Sequence, residues 1–102
     1  MPPRDTPIDQ AVLLDGELRP VLESGSPVIG GVGSSAVRDA IERFQPMLGL
    51  HGHIHESKGA TRIGSTLSLN PGSSYEEGIL QAAVVTIDPK KRKVKNYQLV
   101  NG

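Results

Sequence analysis

A helix signal followed directly by a strand signal, between residues 34 and 50, constrains the fold of this chain most strongly. The apolar residues of its first part recur at i, i+3, i+4 and i+7, namely Val37, Ala40, Ile41 and Phe44. This spacing predicts a helix with one apolar stripe. Ser34 or Ser35 is the expected N-cap, and Pro46 is expected to end the helix. Residues 47 to 50 form a short apolar run typical of a buried strand.

The order of predicted elements indicates an α/β fold with one main helix followed mostly by strands. Strands are expected near residues 61–63 and 66–69, and longer ones over 79–87 and 93–100. Residues 1–30 carry many prolines and glycines, so a loop segment is predicted there, with the main fold in residues 31–102. Within that segment, Asp9 could cap a short helix that runs to Leu14.

Composition excludes several classes of protein. A length of 102 residues allows one domain, and 36% hydrophobic residues argue against disorder along the whole chain. Eleven basic residues balance eleven acidic ones, so no overall field would attract nucleic acid or an anionic membrane. The absence of cysteine excludes disulfides and thiolate metal sites. No apolar stretch approaches the roughly 20 residues that span a bilayer, and a cytoplasmic location is expected.

All three histidines of the chain fall within five residues, directly after the predicted strand that ends at residue 50. His51, His53 and His55 are two residues apart, so an extended segment would project their imidazoles from the same side. Imidazole is a ligand suited to Zn, Mn, Fe or Co. Ligands of α/β proteins bind beyond the carboxyl ends of strands. This pattern predicts a metal site, although hydrogen-bonded side chains at a strand end are the plainer alternative, above all for His51.

The block Gly52-His53-Ile54-His55, followed by Glu56-Ser57, resembles the last G-H-x-H block of calcineurin-like metallophosphoesterases. The resemblance covers about residues 31 to 88 and includes the segments 32–38, 45–50, 63–67 and 70–73 in the same order. It implies a partial calcineurin-like layered β-sandwich, the carboxyl-terminal portion of that fold. It also implies hydrolysis of phosphoester bonds with two divalent ions, Mn, Fe, Zn or Co.

In the resembled pattern, His53 would be a ligand of one ion and His55 a ligand of the other. His51 and Glu56 would be neighbours without an assigned ligand role. Two adjacent ions hold phosphate oxygens and activate a water that attacks phosphorus. Protonated imidazole cannot bind a metal, so loading is expected to fail at acid pH.

The earlier blocks of the resembled family, written D-x-H, G-D-x-x-D and G-N-H-D/E, are absent from this sequence. One protein ligand per ion is too few, since catalytic sites typically use three. The isolated chain is therefore expected to be inactive, as a fragment or as a subunit that meets its missing half in another polypeptide. Half of a layered sheet would expose apolar surface, so self-association or a partner chain is expected. The rival interpretation is a non-catalytic metal-binding or assembly module.

Other motifs of the sequence carry weaker functional signals than the histidine block. Residues 31–36 match G-x-G-x-x-A before a helix, which could hold a nucleotide phosphate, although the flanking strand is too short for a dinucleotide fold. His53-x-His55 also resembles part of the H-x-H-x-D-H block of metallo-β-lactamase-like hydrolases, but Glu56-Ser57 stands where Asp-His is required. The basic residues at 90–93 and 95 lack interleaved aromatics, which favours a solvated hairpin tip over nucleic-acid binding. The turn at residues 70–74 could contact an anionic substrate, but a plain turn is favoured.

Overall fold

The computed structural model describes all 102 residues as a mixed α/β protein with one helix and mostly strands. This confirms the predicted class at that level. The strands, in chain order, are β1 Gln10–Val12, β2 Leu22–Glu23, β3 Ser26–Pro27, β4 Ile29–Gly31, β5 Leu48–Leu50, β6 Gly59–Ile63, β7 Thr66–Asn70, β8 Gln81–Asp88 and β9 Lys93–Asn101. The helix α1 spans Ser35–Phe44, and a short 3-10 turn spans Tyr75–Glu77. No helix is both long and apolar enough to cross a bilayer.

The helix begins and ends where its local sequence predicts. Ser34 is the N-cap, and its hydroxyl accepts a hydrogen bond of 3.1 Å from the backbone N–H of Val37. Gln45 ends the helix in the left-handed conformation, with φ of 45°. Only Ile41 of the apolar stripe is buried, whereas Phe44 is 72% exposed. The helix is therefore confirmed, but much of its apolar face has no covering layer within this chain.

A three-stranded sheet forms the centre of the molecule, in the order β5-β7-β6. Strand β5 is parallel to β7, with Leu48 opposite Leu67 and Leu50 opposite Leu69. Strand β6 is antiparallel to β7, and the two are joined by a tight turn. Every residue of β7 is buried, because it is the middle strand. The predicted strands at 47–50, 61–63 and 66–69 are confirmed within one or two residues.

The last two strands form a long antiparallel hairpin, as predicted, with a register shift between Thr86 and Ile87. The carboxylate of Asp88 shapes the hairpin turn by accepting the backbone N–H groups of Lys90 at 3.0 Å and Lys91 at 3.1 Å. An Asp side chain that bonds to the backbone two or three residues ahead is a common turn device.

The amino-terminal third contains short strands between its loops. Strand β1 pairs antiparallel with β4, and β2 pairs with β3. The short helix predicted from Asp9 to Leu14 is wrong, because Gln10–Val12 is a strand. Its partner strand, β4, lies about twenty residues ahead, and pairing with β4 satisfies the backbone hydrogen-bonding groups of this segment. A helix this short would be only marginally stable without tertiary support.

The molecule is thin and open for its length. Its principal extents are 51 × 34 × 19 Å, and its Cα radius of gyration is 15.3 Å. A compact domain of this size has a radius of gyration of about 13 Å. Only 15 of 102 residues are buried, and large apolar side chains such as Phe44, Leu50 and Leu80 are more than half exposed. The apolar core is therefore small, and wide apolar surfaces are uncovered.

Candidate metal centre

The histidine block lies at the carboxyl end of the parallel strand β5. The ladder between β5 and β7 extends one residue beyond β5, because the N–H of His51 donates to the carbonyl of Leu69 at 2.8 Å. The chain then leaves the sheet as an irregular segment through Ser57. The histidine block therefore starts at the carboxyl edge of the sheet, and this is the edge where α/β sheets bind ligands.

The prediction that residues 51–55 form an extended segment is wrong. The N–H of Ile54 donates to the carbonyl of Gly52 at 2.8 Å, which closes a tight turn. His53, in the middle of this turn, has φ of +71°. A non-glycine residue in that region costs about 1–3 kcal/mol, and such residues concentrate at functional sites. The three imidazoles therefore do not share one side of a strand.

Ile54 anchors the block to the core. Its side chain is only 7% exposed, and its carbonyl accepts the side-chain amide of Asn70 at 2.9 Å and the N–H of Ser57 at 3.1 Å. The Ser57 hydroxyl in turn donates to the carbonyl of Pro7 at 2.9 Å. With Ile54 held inward, its two histidine neighbours, His53 and His55, both lie exposed at the surface.

His55 has a defined aromatic neighbour. Its ring meets that of Tyr75 edge to face, with the centroids 5.6 Å apart. A small cavity of about 140 Å³ beside His55 is lined also by Glu76 and Glu77. Glu56, predicted as a neighbour of the metal ligands, is exposed. The structure thus leaves the rings of His53 and His55 open to solvent, and Tyr75 limits the orientations of the second ring.

His51 occupies a different environment from the other two histidines. Its Nδ1 lies 3.2 Å from the carbonyl of Met1, and its Nε2 is buried without a hydrogen-bond partner. Burial lowers the pKa of His51, the hydrogen bond to Met1 opposes this, and the charge of the amino terminus adds to the lowering. A neutral ring with Nδ1–H donating to Met1 matches these surroundings. This is the hydrogen-bonded role that the sequence left open for His51.

The donors of this chain do not by themselves form a metal centre. No three His, Asp or Glu side chains of the structure are grouped closely enough to hold an ion. His53 and His55 are exposed residues, and imidazole nitrogens are of the type that Zn, Mn, Fe and Co accept. They fit as partial ligand sets, and further ligands would have to come from outside this chain.

Asp9 is the residue whose importance the sequence did not reveal. It is 0% exposed, and its carboxylate accepts hydrogen bonds from the N–H groups of Asp5 at 2.9 Å, Thr6 at 3.1 Å and Gly33 at 3.0 Å. The side-chain amide of Gln10 donates at 2.9 Å as well. Burial alone would raise the pKa of Asp9, but these hydrogen bonds outweigh it, so the pKa lies below its ordinary value. No local sequence signal marks a carboxylate whose partner lies 24 residues away.

The glycine-rich segment before α1 is filled by the protein itself. A Cβ built on Gly33 would lie 2.5 Å from the carbonyl of Pro2 and 2.9 Å from the Cβ of Asp9. The N–H of Gly33 already donates to Asp9, and that of Ser34 donates to Pro2 at 2.8 Å. A phosphate at this helix start would meet a carboxylate instead of free N–H groups. Gly33 therefore allows close packing of the amino-terminal segment against the start of α1.

The turn after β7 also serves structure. The Asn70 side chain is buried, donates to the carbonyls of Ile54 and Ile8, and accepts the N–H of Gly72 at 3.0 Å. All of its strong hydrogen-bonding groups are thereby used within the protein. Asn70 ties the histidine block to the amino-terminal segment, a structural role that the sequence did not indicate.

Comparison with protein-family models, curated proteins and solved structures finds no match for this chain.

Proposed function

We propose that this chain is the carboxyl-terminal portion of a metal-dependent phosphoesterase of the calcineurin-like type. The observation that carries the proposal is the G-H-x-H block at the end of a parallel strand, with Ile54 buried and the flanking histidines exposed. His53 would hold one divalent ion and His55 the other.

The chemistry of the complete site divides between the ions and the protein. Bound divalent ions supply an activated water and neutralise charge on a phosphoester. The residues of this chain orient the donors: Ile54 and Asn70 fix the backbone between the two imidazoles, and Tyr75 contacts the His55 ring. Each histidine must be neutral at its donor nitrogen, so metal binding should weaken as pH falls.

The proposed substrate is a phosphoester, and the proposed partner is a polypeptide that supplies the remaining ligands or a second copy that covers the apolar surface. Two features support a partner. The histidines provide one ligand per ion, where catalytic sites typically use three. The side chains of Phe44 and Leu50 are 72% and 65% exposed, and exposed apolar surface of this kind is typical of a contact with another chain.

Metal binding can be tested directly on the 102-residue chain. Zn²⁺ or Mn²⁺ added at neutral pH should perturb the ring signals of His53 and His55 in NMR spectra and leave those of His51 largely unchanged. The variants His53→Gln and His55→Gln should each remove one component of binding, while the matched control Glu56→Gln should retain both. Unchanged signals of both rings at millimolar metal would contradict the proposal.

Activity is tested by measuring hydrolysis of a chromogenic phosphodiester with and without a partner. The chain alone should be inactive, and turnover should appear when a polypeptide carrying the D-x-H, G-D-x-x-D and G-N-H blocks is co-expressed with it. Robust turnover by the pure monomer would refute the ligand count. The second candidate, a non-catalytic assembly module, is favoured by the exposed apolar surface. It is supported if the chain self-associates without any metal response.

A further inference from the structure

A cavity of about 920 Å³ lies between the tip of the β8–β9 hairpin and the carboxyl end of α1. It is separate from the histidine block, because none of its nine lining residues is a histidine. Ligand pockets in proteins typically measure about 300–1,000 Å³. The cavity therefore has the size of a small-molecule site.

Gln45 gives the floor of this cavity a fixed shape. Its side-chain Nε2 donates to the carbonyls of Ile41 at 2.8 Å and Ile63 at 3.2 Å, and its Oε1 accepts the N–H of Ser65 at 2.7 Å. One side chain thus joins the end of α1 to the turn between β6 and β7. Because Gln45 Nε2 occupies a helix carbonyl, the negative end of the helix is partly neutralised there.

The charged lining of the cavity is entirely basic. Arg62, Arg92 and Lys93 line it, and no Asp or Glu does. None of the three takes part in the ion pairs of the structure, which involve other arginines. The carboxylate of Asp88, the nearest acid along the hairpin, accepts backbone N–H groups of the turn instead of pairing with these cations. In a chain with zero net charge, three unpaired cations around one cavity form a local positive field.

One wall of the cavity is apolar. Ile87 and Val94 are opposite each other in the hairpin register, and both line the cavity together with Met47. Apolar walls with a few convergent polar groups are the usual composition of a ligand site. An occupant that matches this lining needs an anionic end for the cations and an apolar or aromatic body for the wall.

We infer that this cavity binds a small phosphorylated molecule with an apolar body, of the chemical class of a nucleoside diphosphate. Guanidinium groups bind phosphate in bidentate fashion, and lysine adds a point charge. Arg62 approaches from the central sheet and Arg92 with Lys93 from the hairpin, so the ligand bridges the two parts of the chain.

The test measures binding of ADP by calorimetry in buffer containing EDTA, so that the histidine block and its ions take no part. Saturable binding of ADP and weaker binding of inorganic pyrophosphate are expected, with none for adenosine. Arg62→Gln and Arg92→Gln should each weaken ADP binding about tenfold or more. The matched controls Lys90→Gln and Lys95→Gln remove the same charge outside the cavity and should bind as the parent does.

Three results would overturn the inference. These are the absence of saturable ADP binding, equal ADP affinity in all four variants, or adenosine binding as strong as that of ADP. Far-UV circular dichroism of each variant establishes that it is folded. Because no metal is present, failure here leaves the phosphoesterase proposal standing, and failure of metal binding at His53 and His55 leaves this one standing.

Discussion

Replacing Asp9 with Asn tests whether one buried carboxylate holds the amino-terminal segment against the start of α1. The substitution keeps the size of the side chain and replaces one oxygen by an NH₂ group. Both oxygens of Asp9 accept hydrogen bonds from N–H groups. In either orientation of the asparagine side chain, its NH₂ group would therefore face N–H donors that it cannot accept.

The expected loss follows from the hydrogen bonds of each oxygen. If the amide nitrogen replaces Oδ2, the N–H groups of Asp5 and Gly33 lose their acceptor; if it replaces Oδ1, those of Thr6 and Gln10 do. A buried donor without a partner costs about 1–3 kcal/mol. Asp5 and Gln10 retain some access to water. Two lost acceptors should therefore lower the free energy of unfolding by about 2–3 kcal/mol.

The assay is urea unfolding followed by far-UV circular dichroism, comparing midpoints at constant m value. Asp15→Asn is the matched control, since Asp15 also accepts two backbone N–H groups, at 2.9 and 3.0 Å, but is exposed. It should cost less than about 1 kcal/mol. Equal losses for both variants would refute the reasoning that burial makes Asp9 important.

The same comparison has a defined pH dependence. Because the pKa of Asp9 is lowered in the folded state, its stabilisation is present above the ordinary aspartate value of about 3.9. It is lost as pH falls through the lower, folded-state pKa. The stability gap between the parent and Asp9→Asn should therefore be constant near neutrality and shrink below about pH 4. A gap that widens on acidification would contradict the direction of the pKa shift.

Two further substitutions test the helix start and the strand that precedes the histidine block. Ser34→Ala removes the N-cap hydrogen bond and should lower the free energy of unfolding in urea by about 1 kcal/mol. The control Ser35→Ala, one residue later, should cost far less. Equal losses for the two variants would contradict the capping role of Ser34. Gly49→Ala would place a Cβ 2.6 Å from the Nε2 of His51, so the ring must move and a loss of about 1–3 kcal/mol is expected. Gly52→Ala meets nothing within 4 Å and should be neutral or slightly stabilising; a larger loss than for Gly49→Ala would refute the packing argument.

The helix and the strands after it could be predicted because their signals are local. The start and end of α1 are each marked by residues at or next to them, a capping serine before the helix and Pro46 after it, and an apolar stripe marks its length. The hairpin of β8 and β9 is marked by a turn sequence between two apolar runs. The short strands of residues 1–30 carry no such signal, since each depends on a partner strand elsewhere in the chain.

For the candidate site, the amino-acid order establishes which side chains are present, namely His53 and His55 on either side of Ile54, after an apolar strand signal. The burial of Ile54 and the placement of the two imidazoles depend on tertiary contacts. The Nδ1 of His51 lies against the carbonyl of Met1, 50 residues away, and the carbonyl of Ile54 accepts the side-chain amide of Asn70, 16 residues ahead. Residue type and spacing are written in a sequence, but burial and hydrogen-bond partners depend on distant segments that meet only when the chain folds.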